Sequence, residues 1–230
     1  MLLSIDTSTR YAGIALSDEE RVLSCRWWYS TTNHTTQLMP AVSDLLTGLG
    51  LTPRDLSGIA VALGPGGFSA LRVGMSVAKG LALVAQKPLL GVGTLDLEAI
   101  PYLESGIPVC AMLDAGRQEV ASAYFGASGQ RTREDLICLP KELLTGITQQ
   151  TIFCGEGVLP WISLIKEELG PLAVVVTHLS PAHRLWSLSE IGGQRLAAGE
   201  SDDLTTLQPY YLRMPSIGGP KRRDWVPQQS

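Results

Sequence analysis

The sequence predicts an α/β protein made of two similar halves, each a mixed sheet flanked by helices. Three observations carry this. Short apolar runs alternate with stretches of helical periodicity along most of the chain. A strand–Asp–turn–strand unit near the N-terminus returns roughly a hundred residues later. An apolar run, Ile59 to Leu63, passes through a Gly/Pro-rich turn into a small-residue helix, Leu71 to Ala85, the arrangement of a strand–turn–helix crossover.

The elements follow in order. Leu2 to Ile5 is an apolar strand ending at Asp6; the polar turn Thr7-Ser8-Thr9-Arg10 leads to a second strand, Tyr11 to Leu16, and Arg21 to Tyr29 reads as a third. Helical spacing starts near Thr36, where Leu38, Val42, Leu45, Leu46 and Leu49 share a face, Thr35 or Thr36 is placed to cap, and Gly48 and Gly50 end the run. Pro40 falls in the early turns. Thr52-Pro53 reads as a cap followed by proline at the first helical position. Three strands, helix, strand, helix is the order of a ribonuclease-H-like half. Pro88 to Val92 and Thr94 to Leu103 add a strand and a helix.

The second half begins near Ile107. Val109 to Leu113 ends at Asp114, the turn Ala115-Gly116-Arg117-Gln118 follows, and Val120 to Phe125 returns, so that Asp6 and Asp114 share a register. Asp in a turn after a strand is common, so the match has a chance rival. Strands near 119–138, a short helix after Pro140, the strand Thr151 to Cys154, a helix Leu159 to Leu169, the strand Ala173 to Thr177 and a helix Ala182 to Ala198 complete the half. The expected division is 1–105, 106–214 and an extended tail, 215–230, with the last helix either in the second half or folded back onto the first. In that tail Lys221-Arg222-Arg223 beside Trp225 is either a solvated cluster or a contact to an RNA backbone.

Composition narrows the class. With 230 residues, 45% hydrophobic and 17% charged, the chain has material for a sizeable core. A net charge of -4 argues against gripping nucleic acid unaided. Cys25, Cys110, Cys138 and Cys154 form no CxxC pair and read as buried free thiols of a reducing compartment. The start, Met1-Leu2-Leu3-Ser4-Ile5-Asp6, lacks a basic n-region and an apolar h-region, and no apolar run is expected to approach the length of a membrane span. A cytoplasmic protein without membrane contact is the expectation.

The turn Gly64-Pro65-Gly66-Gly67-Phe68 carries no Lys after its glycines and does not follow the first strand, so it matches neither common phosphate loop. It serves either a ligand at the helix start or a tight turn with close helix–strand approach. On the following helix Gly74, Ala78 and Ala82 recur every fourth residue, flanked by Leu71, Met75 and Leu81. Such a strip lets another helix come close; the alternative is that it covers the protein's own sheet.

Taken together, two halves of this kind look like the actin/sugar-kinase/heat-shock ATPase fold. Within it, Ile5-Asp6-Thr7-Ser8-Thr9, His34-Thr35-Thr36-Gln37-Leu38-Met39-Pro40 and above all Gly64-Pro65-Gly66-Gly67-Phe68-Ser69-Ala70-Leu71-Arg72-Val73-Gly74 resemble the TsaB (YeaZ) family. Pro88 to Leu95, Asp114-Ala115-Gly116-Arg117 and Gln208 to Arg213 fit the same family in the same order. The resemblance implies work in making threonylcarbamoyladenosine beside the tRNA anticodon. It implies a non-catalytic scaffold paired with the paralogous transferase TsaD, with an ATPase, TsaE, as third member. Alone, a homodimer through the same patch is expected, with tRNA met only through the complex. Leu38, Met39, Val42, Leu71, Met75, Ala78, Lys79 and Ala82 are the expected partner-binding residues, beside the motif turn that includes Arg72.

TsaD-like proteins carry a His-x-x-x-His metal pair, and the matching positions here are Thr94 and Glu98. His34 is expected at a helix entry and His178 and His183 at the surface or in caps, so neither a metal nor another cofactor is expected. Kinases of this superfamily have glycine where this chain has Ser8; Asp6, Thr7, Ser8 and Asp114 therefore read as remnants of a nucleotide loop. An ATP-dependent small-molecule kinase and a glycopeptidase-like metallopeptidase are the remaining alternatives.

Overall fold

The same five-stranded sheet is built twice. The computed structural model describes residues 1–31, 34–177, 180 and 182–213. The first sheet comprises β1 (Leu2–Asp6), β2 (Tyr11–Ser17), β3 (Val22–Tyr29), β4 (Gly58–Gly64) and β5 (Leu89–Gly93), in the order β3-β2-β1-β4-β5. The second comprises β6 (Val109–Gly116), β7 (Glu119–Phe125), β8 (Leu136–Cys138), β9 (Thr151–Cys154) and β10 (Ala173–Val175), in the order β8-β7-β6-β9-β10. Each has two antiparallel pairings followed by two parallel ones. The duplication expected from the two Asp turns is therefore real at the level of topology.

Alternation along the central strands assigns the faces. Leu3, Ile5, Ile59 and Val61 point to α1 (His34–Gly48) and α2 (Phe68–Ala85), which cover one side of the first sheet. Leu2, Ala60, Ala62 and Leu90 point the other way, to α6 (His183–Ala197). Strands buried on both faces read as unbroken apolar runs, as β1 and β4 do. The second sheet is covered on one side by α4 (Pro140–Leu144) and α5 (Ile162–Leu169). Its other side meets α3 (Thr94–Ala99) through Leu95 and Ala99, while Leu97 of the same helix packs with the first sheet's cluster. One short helix thus joins both cores.

Several expectations shift. α1 starts at His34, so Thr35 and Thr36 lie inside its first turn rather than capping it, and Leu49 lies past its end and is exposed. Pro101 gives up its amide, and α3 stops at Ala99 with a 3-10 turn, Ile100–Ser105, in place of a helix to Leu103. The run Leu159 to Leu169 divides likewise into a 3-10 segment, Glu156–Trp161, and α5. The strand expected to Thr177 stops at Val175. In chain order α6 falls in 106–214, yet in space it lies on the first sheet. Cys110 and Cys154 are buried, whereas Cys25 and Cys138 are partly exposed; all four are free thiols, and burial pushes Cys110 up to about 12. Contrary to the reading of apolar runs, α2, with a mean hydropathy of 1.4 over 18 residues, is long and apolar enough by composition to cross a membrane. Its apolar face is accounted for by its seat on the first sheet. His178 and the tail 215–230 lie outside the described residues.

A strap without regular structure follows α6. Asp202 takes the N–H of Gly91 at 2.6 Å and donates its own to the Leu89 carbonyl. Leu204 and Leu207 enter the first core, Tyr210 N–H bonds the Leu63 carbonyl, and Arg213 reaches Glu119 of β7 at 2.6 Å.

Candidate functional site

A cleft of about 1110 Å³ opens where the β1–β2 turn, the β6–β7 turn and the start of α2 face one another. The glycine turn builds one wall. Gly64 has φ +110°, a conformation that favours glycine. A Cβ on Gly66 would sit 2.1 Å from the Ser8 carbonyl oxygen, and one on Gly74 would sit 2.3 Å from Thr7 Oγ1. Gly67 N–H donates to that Ser8 oxygen at 2.9 Å and Thr7 Oγ1 donates to the Ala70 carbonyl at 2.7 Å. The motif therefore seats α2 against the β1–β2 turn at a distance no larger residue allows. Pro65 is buried behind it, with a cis peptide from Gly64. Phe68 carries the Arg72 guanidinium 3.9 Å above its ring and Tyr211 of the strap beside it.

Behind the cleft lining, beneath Thr9, Tyr11 and Glu156, lies a buried ionic hub that sequence reasoning missed. Arg184, at the start of α6, is fully buried and uses all five N–H donors. Nε reaches Asp6 Oδ2 at 2.6 Å; Nη1 reaches Glu98 Oε1 at 2.9 Å and also Glu156; Nη2 reaches Thr9 Oγ1 at 2.8 Å and the Tyr11 carbonyl at 3.1 Å. Asp6 is more than a turn remnant: its second oxygen takes both the N–H and the hydroxyl of Ser8. Burial alone would push its carboxyl up, but Arg184 and the Ser8 bonds hold it below the ordinary value. Glu98 is likewise buried; the bond from His183 and the charge of Arg184 outweigh burial and lower it. His183 is not a surface residue. Its Nε2 lies 2.6 Å from Glu98 and its Nδ1 2.6 Å from the Ser180 carbonyl, and these partners raise its pKa against burial. Thr94 accepts the Gly64 N–H at 3.1 Å. The only prior signal for the hub was a His-Arg pair at a helix start, which spacing does not distinguish from a solvated face.

These contacts bear on what the cleft takes. Both Asp6 oxygens are engaged behind the lining, and Glu98 is held by Arg184 and His183, so the cleft does not fit a magnesium–nucleotide held on Asp6. Among the described residues no group of three or more His, Cys, Asp and Glu side chains is arranged to hold a metal ion. Asp114 is exposed and caps its own turn by accepting the Gly116 N–H at 2.8 Å. His34 opens α1 and lines the cleft, as its expected place at a helix entry implies. In the β6–β7 turn Gly116 pairs with Glu119, leaving Arg117 (φ +56°) and Gln118 (φ +64°) as two left-handed residues. Neither is glycine or asparagine, the usual occupants of such a turn, and each costs about 1 kcal/mol or more.

The expected partner strip is inward. Leu38, Val42, Leu71, Gly74, Met75, Ala78 and Ala82 are buried against the first sheet, and Lys79 is tied to the strap through the Thr205 carbonyl. Helical spacing gives two small-residue rows on α2, and the sheet takes one of them. The row left outside is Arg72, Ser76, Gly80 and Val84, with Leu83 beside it; Leu83 is 66% and Val84 75% exposed, and Met39 of α1 is exposed as well.

Comparison with known proteins fits this architecture. The family model described as "TsaD: tRNA N6-adenosine threonylcarbamoyltransferase" matches residues 29–156. The tRNA threonylcarbamoyladenosine biosynthesis protein TsaB of Bacillus subtilis is 30% identical over 93% of this chain and 94% of its own. Among solved structures, YeaZ from Pseudomonas aeruginosa superposes with a TM-score of 0.75 at 29% identity, over 92% of this chain and 99% of that one. The activator of 2-hydroxyisocaproyl-CoA dehydratase from Clostridium difficile, at TM-score 0.53 and 8% identity over 86% of this chain and 95% of that one, shares the fold alone.

Proposed function

The chain belongs to the TsaB family of tRNA threonylcarbamoyladenosine biosynthesis proteins, and from that premise we propose that it is a non-catalytic partner subunit of the threonylcarbamoyl-transfer machinery. Its task in this reading is to bind a TsaD-like transferase and hold it in its active conformation, with a TsaE-like ATPase as a further partner in the cytoplasm. The observation that supports it most is Arg184. A fixed guanidinium behind the cleft lining occupies the Asp6, Glu98 and Glu156 carboxylates, of which a kinase of this fold would need Asp6 free for a nucleotide. The kinase and metallopeptidase alternatives both need those groups free.

The outward row on α2 with Met39 supplies the docking face. The transferase family's own model matches this chain across α1, α2 and β4, so both partners have helices of the same kind to offer. Two related helix pairs dock about a pseudo-twofold axis, and in the transferase's absence a second copy of this chain satisfies the same face. The test is reconstitution of tRNA threonylcarbamoylation from the transferase, the ATPase and the activated donor, with and without this chain. Product only in its presence is the expected result; product unaffected by its omission overturns the reading.

A further inference from the structure

We propose that the mouth of the cleft binds single-stranded RNA, the unpaired loop of a tRNA stem, by base stacking on Tyr29 and Trp27 and phosphate contact to Arg10 and Arg117. The proposal rests on the chain's place in tRNA modification and adds a direct RNA contact to it. Tyr29 and Trp27 share one face of the edge strand β3 and are 51% and 46% exposed. Tyr11, paired with Tyr29 across the β2–β3 ladder, packs edge-on against both rings, at 5.1 Å and 6.2 Å between centroids. Gly13 stands opposite Trp27 in the same ladder with Leu185 of α6 over it, so Tyr11 meets the Trp27 ring at its edge while the residue remains 46% exposed. Arg10 donates to the Tyr29 hydroxyl at 3.2 Å, holding ring and guanidinium together. From the opposite lip the strained turn presents Arg117, which forms no ion pair among the described residues.

This geometry favours a strand of bases over one nucleotide. Tyr11 and Tyr29 line the cavity, but the aromatic surface continues past its rim to Trp27, which does not. Successive rings with cations on either side are how sequence-tolerant single-strand binders hold consecutive bases and their phosphates. Inside the cavity the lining residues Thr9, Tyr11 and Glu156 are tied from behind to Arg184, which leaves the rim as the surface for an incoming chain. A net charge of -4 makes unaided affinity low and strongly dependent on salt.

Fluorescence anisotropy of the full chain at low salt tests this, using an RNA stem-loop, a fully paired duplex of the same length, and ATP as competitor. Preference for the stem-loop is expected. Tyr29→Ala and Trp27→Ala should each weaken it about tenfold, the loss of one base stack, while Tyr29→Phe should retain most of it. Arg117→Ala should lower the salt slope by about one. The proposal falls if stem-loop binding is absent or equal to duplex binding. Unchanged affinity in Tyr29→Ala, or displacement by ATP, which would mark a mononucleotide site, overturns it too. Co-elution with the transferase, measured on the same variants, should not change. Lost RNA binding with intact co-elution is this proposal's own signature, and lost co-elution with intact RNA binding counts against the docking reading alone.

Discussion

Arg184 is the residue on which the structure concentrates most charge. A buried cation and the three carboxylates around it are costly to bring out of water, and the hub holds because every guanidinium donor is used. Arg184→Met leaves Asp6 buried without its counter-charge and Glu98 with His183 as its remaining partner. A loss of about 3–5 kcal/mol is expected in urea denaturation; a loss below about 1 kcal/mol would show that water reaches the hub. The pH dependence follows from the shifts. Asp6 and Glu98 are lowered, so their contribution is complete above the ordinary 3.8 and 4.5 and disappears as pH falls through their lower folded values. His183 is raised, so its contribution is complete below the ordinary 6.5 and is lost as pH rises through its higher folded value. Thermal stability should peak between these limits. His183→Gln should flatten the alkaline limb and also shrink the Glu98 share of the acid limb, leaving the Asp6 share in place, as read from Tm against pH.

At the scale of the element, α2 shows what spacing in a sequence decides and what it leaves open. The small-residue period was legible, and so was the close seat of the glycine turn on its neighbour. Which row faces the sheet was not, because Gly74-Ala78-Ala82 and Ser76-Gly80-Val84 have the same period four. The polar cue lay in the second row, where Arg72 and Ser76 cannot be buried without partners. The structure thus decides which substitution on α2 probes docking. Ala78 is fully buried, so Ala78→Arg should unfold the chain rather than probe docking. A Cβ on Gly80 meets nothing within 4 Å. Gly80→Arg should raise monomer stability by up to about 1 kcal/mol through helix propensity while abolishing co-elution with the transferase. A stable variant that still binds would move the interface off this row.

For the whole molecule, the duplicated sheets were legible because each half repeats a local pattern around one Asp. The hub was not, because its members come from positions 6, 98, 156 and 184, and only α6 folding back on the first sheet brings them together. The apolar helix α3 and the polar bridge from Arg184 to Glu156 both link the halves, beside the strap whose Arg213 reaches Glu119. Magnitudes rank the first two. Leu95 is buried against the second sheet, and cutting it to alanine removes about 2–5 kcal/mol. Glu156 is partly exposed, and Arg184 keeps Asp6 and Glu98 without it, so Glu156→Ala should cost about 1 kcal/mol. The apolar joint should therefore carry the cooperativity, and the polar bridge should set the angle of the cleft. In urea, Glu156→Ala should unfold in one transition with fluorescence and circular dichroism coincident. Leu95→Ala should separate the two probes, since Trp27 and Trp28 report the first half and Trp161 the second. If Glu156→Ala splits the transition and Leu95→Ala does not, the halves are held by charge, and the cleft angle would then respond to salt.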